Sequence, residues 1–159
     1  MKAISGSYAL IFFCDRARDV AIGRLGSVRL HPGYYVYVGS AFGPGGVRAR
    51  TEHHRRISKR PHWHLDYLRP FLLLLEIWYT HDDERREHQW AETLSQLRGS
   101  RQLIAGFGAS DCDCPTHLLA YGYKPSFTRF RLRMRKRVVR HGSINLETVS
   151  EKRAREENQ

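Results

Sequence analysis

The sequence predicts an α+β fold, an α/β sandwich in which a small antiparallel sheet of about three strands is flanked by helices. Two apolar, β-rich runs, "GSYALIFF" and "YYVYVGSA", carry this reading, because turn signals bound both. Segments of helical composition follow them, and a chain of 159 residues fits one domain able to bury a core without staples.

"GSYALIFF" reads as a strand, the polar "CDRARD" as a turn, and "VAIGRL" as its return, together a hairpin. "GSVRLHPG" places Pro32-Gly33 before the next strand, Gly33 to Ala41. There, alternation puts Tyr35, Tyr37 and Gly39 on one face and Tyr34, Val36, Val38 and Ser40 on the other. "FGPGG" punctuates, and "VRARTEHHRRISKR" reads as a helix stopped by Pro61. "HWHLDYLRP" is a short helix ended by Pro70, and "FLLLLEIWY" a core strand. "DDERREHQWAETLSQL" is a helix with acidic residues in its first turn, closed by Gly99. "LIAGFGASDCDCPTHLLAYGY" mixes turn residues with a last apolar strand, and alternation in "FTRFRLRMR" puts Arg129, Arg131, Arg133 and Arg135 on one face of an extended basic strand. The domain boundary falls near Gly142, giving a domain over 1–142 and a charged, flexible tail over 143–159.

A formal charge of +11 exceeds what solubility requires and points to a polyanionic partner or surface. The odd set Cys14, Cys112 and Cys114, with no secretory signal, fits a reducing cytoplasm. "FLLLLEIWY" falls far short of the ~18 residues needed to span a bilayer, so no membrane partner is expected.

Four constellations could carry chemistry. Arg50 and His54, one turn apart on a helix that follows a Gly-rich turn, present one face, with Arg48, Arg55, Arg56 and Lys59 around them as phosphate contacts. In "HWHLDYL", Trp63 and Tyr67 read as core, while His62 pairs with Asp66 or serves as an acid or phosphate contact. Cys112, Cys114 and His117 have the residue types of a zinc site, with one residue between the cysteines and a fourth donor left to Cys14, His62 or Asp111. On the late helix, Glu84, Glu87 and Ala91 share a stripe that brings Glu87 near the buried side.

Taken together, "GSY" at Gly6–Tyr8, "YVG" at Tyr37–Gly39, Arg50/His54 and Glu87 resemble the ordered motifs of the GIY-YIG nuclease superfamily. The strings "GYYVYVGSA", "HWHLDYL" and "GFGASDCDC" followed by "HL" resemble a branch of it long described only as a domain of unknown function, which in some members accompanies an endonuclease III-type repair enzyme. The resemblance runs from about Gly6 to Tyr121; Ser7 and Val38 stand where the superfamily motifs carry Ile, and Tyr8 lies unusually far from Tyr37.

The resemblance implies a three-stranded antiparallel sheet flanked by helices, and phosphodiester hydrolysis with one Mg²⁺ or Mn²⁺. It makes Tyr8 and Tyr37 the paired tyrosines, Arg50 the transition-state cation, His54 the helix histidine and Glu87 the metal ligand. His64 is the favoured later histidine. The expectation is a cytoplasmic, metal-dependent DNA endonuclease in repair or processing, with a repair glycosylase/lyase as a possible partner. The rivals are a non-cleaving module gripping DNA through Arg129 to Arg140, and an adaptor held by structural Zn²⁺ that binds RNA or protein.

Overall fold

In the computed structural model, which describes residues 1–149, the two apolar runs become the centre of one sheet. β1 (Gly6–Cys14) pairs antiparallel with β4 (Gly33–Ala41) along its full length, from Gly6 opposite Ala41 to Cys14 opposite Gly33. Between them β2 (Arg18–Ile22) and β3 (Gly26–Leu30) form a separate hairpin. "VAIGRL" therefore pairs with "GSVRL" and not with β1, and this insert accounts for the long separation of Tyr8 from Tyr37.

The sheet is larger than expected. Its order is β6-β7-β4-β1-β5-β8, with β5 (Leu73–Thr80), β6 (Arg101–Gln102), β7 (Leu118–Tyr121) and β8 (Ile144–Thr148), every pairing antiparallel. Because strand side chains alternate, Tyr8, Leu10, Phe12, Tyr35 and Tyr37 enter one core layer with Val47, Leu65, Leu68 and the apolar side of the β2–β3 hairpin. Ala9, Ile11, Val36 and Val38 face the other layer, filled by Trp78, Trp90, Leu94, Phe130 and Met134. The sheet is thus covered on both faces, an α+β sandwich.

The helices are α1 (Gly46–Arg55), α2 (His64–Leu68), α3 (Glu87–Ser95) and α4 (Phe127–Arg137). α1 stops well before Pro61, since Arg56 is already extended. Its last carbonyls are taken by a buried side chain instead: Arg69 donates from Nε to His54 O at 2.5 Å and from Nη2 to Arg55 O at 3.0 Å. α3 likewise begins at Glu87 and not at Asp82, so Glu84 lies outside it.

"FTRFRLRMR" is the main correction. It is helix α4, not a basic strand, so Arg129, Arg131, Arg133 and Arg135 do not form one row. Phe127, Phe130 and Met134 recur at helical spacing, the last two fully buried, and the Ser126 side chain accepts the Arg129 N–H as an N-cap. Arg129 and Arg133 share one side, while Arg131 lies over the Phe127 ring at 5.4 Å. The boundary at Gly142 is also too early, because residues 144–148 form β8 on the sheet edge; residues 150–159 of the expected tail lie outside the described residues. No helix among the described residues is long and apolar enough to cross a membrane.

Candidate active site

At the end of the sheet where β1 starts and β4 finishes, a cavity of about 500 Å³ opens to solvent. Tyr8 and Tyr37 reach it from the sheet, Arg50 from α1, Trp63 and His64 from the start of α2, Glu87 from the first residue of α3, and Gly108 and Asp111 from the loop before β7. The sheet register sets the two phenols side by side: Tyr8 lies opposite Gly39, and Tyr37 opposite Leu10, two residues further along β1. Gly39 makes room for this, since a Cβ there would come within 2.6 Å of the Tyr8 hydroxyl. Gly108 does the same for the second ring; its φ is +67° and a Cβ would lie 2.8 Å from Tyr37 Cε2.

Behind the cavity wall Tyr8 Oη lies 3.0 Å from His54 Nε2. Burial, then the neighbouring His53, pushes the His54 imidazole down to about 3, so the ring is neutral at working pH. His54 Nδ1 is buried with no partner among the described residues. An unused lone pair costs less than a stranded N–H, so the proton sits on Nε2 and is donated to the Tyr8 oxygen, leaving the Tyr8 O–H free for the cavity. Burial raises both phenols above their ordinary value; Tyr37 adds to the rise at Tyr8, whereas the Arg50 charge opposes it at both. Arg50 also lies over the Trp63 ring at 4.4 Å, which fixes its planar head at the cavity rim.

The start of α2 is held by Asp66, which accepts the N–H groups of His62 at 2.9 Å and Trp63 at 3.0 Å and meets His53 Nε2 at 3.0 Å. Burial opposes its ionisation, but these donors outweigh it and keep the carboxyl low. His62 thus meets Asp66 through its backbone. His64 Nδ1 accepts the Gly108 N–H at 3.0 Å, so a neutral His64 carries its proton on Nε2 as a donor.

Glu87 is placed by contacts from elsewhere in the chain. The fully buried Ser7 hydroxyl accepts the Arg86 N–H at 2.9 Å, and Arg86 Nε donates to the buried Asp82 at 3.0 Å. Ser7 therefore seats α3 against β1, and Glu87 follows directly. Ser7→Ala strands the Arg86 N–H, and a stability loss of about 1–3 kcal/mol is expected in urea unfolding; an unchanged midpoint would show that the hydroxyl does not seat the helix.

These positions fall inside a recognised sequence family. A family model described as "Domain of unknown function DUF123" matches residues 7–139. The chain belongs to the DUF123 family. No curated protein and no solved structure matches it. The DUF123 match spans Ser7 to Val139, so it contains the whole cavity and α4 and ends before β8.

Within this DUF123 chain, Tyr8, Tyr37, Arg50, His64 and Glu87 meet in one cavity, while His54 stands behind it as a partner of Tyr8. Tyr35 is elsewhere, its hydroxyl 2.8 Å from both His31 N and His31 O. Trp63, expected in the core, is half-buried at the rim. Arg48, Arg56 and Lys59 are exposed, but Arg55 is engaged by Glu147 at 2.5 Å and Glu52 at 3.4 Å. α4 packs in the layer opposite α1; Arg133 reaches Gln96 O at 3.3 Å and Arg137 pairs with Glu92. Ser7, Asp82 and Arg69 had no local signal, since each works through residues distant in the chain or through burial.

Among the described residues, two clusters have metal-ligand types: His53, His54 and Asp66, and, beside the cavity, His88, Cys112, Cys114 and His117, with all four donor atoms within 4.8 Å of one another. The fourth member of the latter is His88 on α3, not Cys14, His62 or Asp111. Burial, followed by the adjacent Cys112, pushes the Cys114 thiol up to about 11.

Proposed function

We propose that the cavity hydrolyses phosphodiester bonds in DNA, as a metal-dependent endonuclease in repair or processing, using Mg²⁺ or Mn²⁺ at Glu87. The observation that carries this reading is the convergence of Arg50, Glu87, Tyr8 and Tyr37, from α1, α3, β1 and β4, in one open cavity. Those are the positions matching the ordered motifs of GIY-YIG nucleases. The donor set fits a hard cation: the Glu87 carboxylate, in a cavity that Asp111 also lines, leaves positions for waters and a substrate phosphate, as Mg²⁺ requires.

When bound, the cation supplies Lewis-acid neutralisation of the charge that grows on the phosphate oxygens. Arg50, its planar head steadied on Trp63, would hold non-bridging oxygens as they gain charge. Burial holds Tyr8 and Tyr37 protonated at neutral pH, so both hydroxyls donate hydrogen bonds that orient a water or a phosphate oxygen. His64 Nε2–H supplies a further donor from the α2 side. Exposed Arg48, Arg56 and Lys59 would extend the positive surface away from the rim, and Arg129, Arg131, Arg133 and Arg135 on α4 would add a separate basic patch.

A screen of plain, abasic, mismatched, flapped and single-stranded DNA, with Mg²⁺ or Mn²⁺ and with EDTA, tests the reading. Metal-dependent cleavage of at least one substrate is expected. Salt-sensitive binding with no cleavage on any substrate favours the rival, a non-cleaving module that grips DNA through the guanidinium groups of α4, of which Arg129, Arg133 and Arg135 are exposed outside the cavity.

A further inference from the structure

The loop between Gly106 and His117 is pinned at its base and unsupported at its tip. Gly106 N–H donates to Pro115 O at 2.8 Å, His117 N–H to Phe107 O at 2.8 Å, and Val38 N–H to His117 O at 3.0 Å, which ties the loop to β4. Phe107 is fully buried beneath it. At residues 110–112 the hydrogen bonds, Ser110 Oγ to Asp111 and Cys112 N–H to Ala109 O, stay inside the loop. Yet this tip forms part of the cavity wall, through Ser110 and Asp111.

What gathers at the tip is a donor set. Cys112 Sγ lies 3.4 Å from His117 Nε2, and Cys114 and the α3 residue His88 complete a group whose donor atoms all lie within 4.8 Å. A tetrahedral zinc holds sulfur and nitrogen donors about 3.3–3.8 Å apart, so closing onto one ion asks for movements on the order of 1 Å. His88 is about half exposed, with Nε2 3.7 Å from Glu87 Oε1 and its ring 5.9 Å from that of His117, and rotation of the side chain can supply such a movement. Two thiolates and two imidazoles suit Zn²⁺ and not the hard cation expected at Glu87. Two thiolates also balance the dication, which removes the cost of holding two sulfurs together in a half-buried turn.

We propose that His88, Cys112, Cys114 and His117 bind one structural Zn²⁺ that fastens the tip of the loop to the first turn of α3. The ion crosslinks the wall carrying Asp111 to the residue next to Glu87, and so fixes both sides of the cavity with respect to each other. The short C-x-C spacing follows, because one tight turn presents both sulfurs to a helix already in place. This inference does not rest on the phosphodiesterase reading, and its readout is metal content.

The test is elemental analysis of the full chain purified without chelator, with His88→Ala, Cys112→Ser and, as a control, Cys14→Ser. About one zinc per chain is expected in the wild type and in Cys14→Ser, with at least a tenfold loss of retained zinc in His88→Ala and Cys112→Ser. Co²⁺ titration of the metal-stripped wild type, which needs no variant to fold, should give intense tetrahedral d–d bands with thiolate charge transfer. Full zinc content in His88→Ala, or a wild type with neither zinc nor the tetrahedral Co²⁺ spectrum, overturns the site.

Discussion

Arg50→Ala is expected to lower metal-dependent DNA cleavage by about 10²–10³-fold, the loss typical of removing one preorganised donor from a developing oxyanion. Arg50 is a cation held in place at the cavity: α1 projects it one turn before His54, Trp63 lies under its guanidinium at 4.4 Å, and its charge opposes the rise that burial imposes on the Tyr8 phenol. Its contribution should appear in the chemical step, because the oxygens it meets gain charge only there. Arg50→Lys keeps the charge and loses the planar fork, so it should recover a small part of the rate. Single-turnover nicking of supercoiled plasmid, with circular dichroism to confirm the fold, measures this. An alanine variant that cuts at the wild-type rate would remove Arg50 from the chemistry.

The largest stability effect is expected at Asp82. Its carboxylate is buried and accepts Arg86 Nε at 3.0 Å, Gly142 N–H at 2.8 Å and Glu84 N–H at 3.0 Å, joining the end of β5, the start of α3 and the approach to β8. Asp82→Ala leaves the Arg86 guanidinium buried without this partner and should cost about 3–5 kcal/mol, read as a lower urea midpoint at unchanged slope. The pH dependence follows in sign. Burial opposes ionisation of Asp82, but Gly142 N–H and Arg86 outweigh it and bring the carboxyl from 3.8 to about 2. The unfolded chain therefore binds the proton first, and about 2 kcal/mol of stability, present above pH 3.8, is lost as pH falls toward 2. His54, lowered from 6.5 to about 3, acts in the same direction and begins to destabilise the fold already below pH 6.5. Wild type should weaken in both windows, whereas Asp82→Ala should keep only the upper one. A variant as stable as wild type at pH 7 would show that the buried pair contributes nothing.

What the sequence revealed was the part encoded in local alternation. The two-face pattern of "GYYVYVGSA" places Tyr35 and Tyr37 in one layer and Val36 and Val38 in the other, as observed. Arg50 and His54 do share the inner side of α1, although only Arg50 reaches the cavity. The space beside Gly39 is taken by the Tyr8 ring across the strand pair, a contact that alternation along one strand does not reveal. In "FTRFRLRMR" the arginines alternate, but Phe127, Phe130 and Met134 do not, and buried apolar residues decide the element while exposed guanidinium groups tolerate either. β6 and β8 were missed because edge strands bury little and carry weak patterns.

Long-range contacts left no local trace. Ser7 and Arg86 are separated by 79 positions, so a serine in a strand could not be seen to seat a helix. His88 could not be paired with Cys112 and Cys114 by spacing, for it lies upstream on another element. The cue that remained was a pair of close cysteines with one histidine and an incomplete ligand count.

Glu87 has two other carboxylates, Glu84 and Glu92, as near neighbours in sequence. The structure separates them: Glu87 lines the cavity, Glu84 pairs with Arg86 at 3.0 Å, and Glu92 pairs with Arg137 on the α4 side. The most direct measurement is Mg²⁺-dependent nicking of supercoiled plasmid by wild type, Glu87→Gln and Glu84→Gln under identical conditions. Wild type and Glu84→Gln should nick at comparable rates, and Glu87→Gln should fall by about 10²-fold or more. Nicking by Glu87→Gln at the wild-type rate, or its loss in Glu84→Gln alone, would contradict a metal-dependent centre built on Glu87.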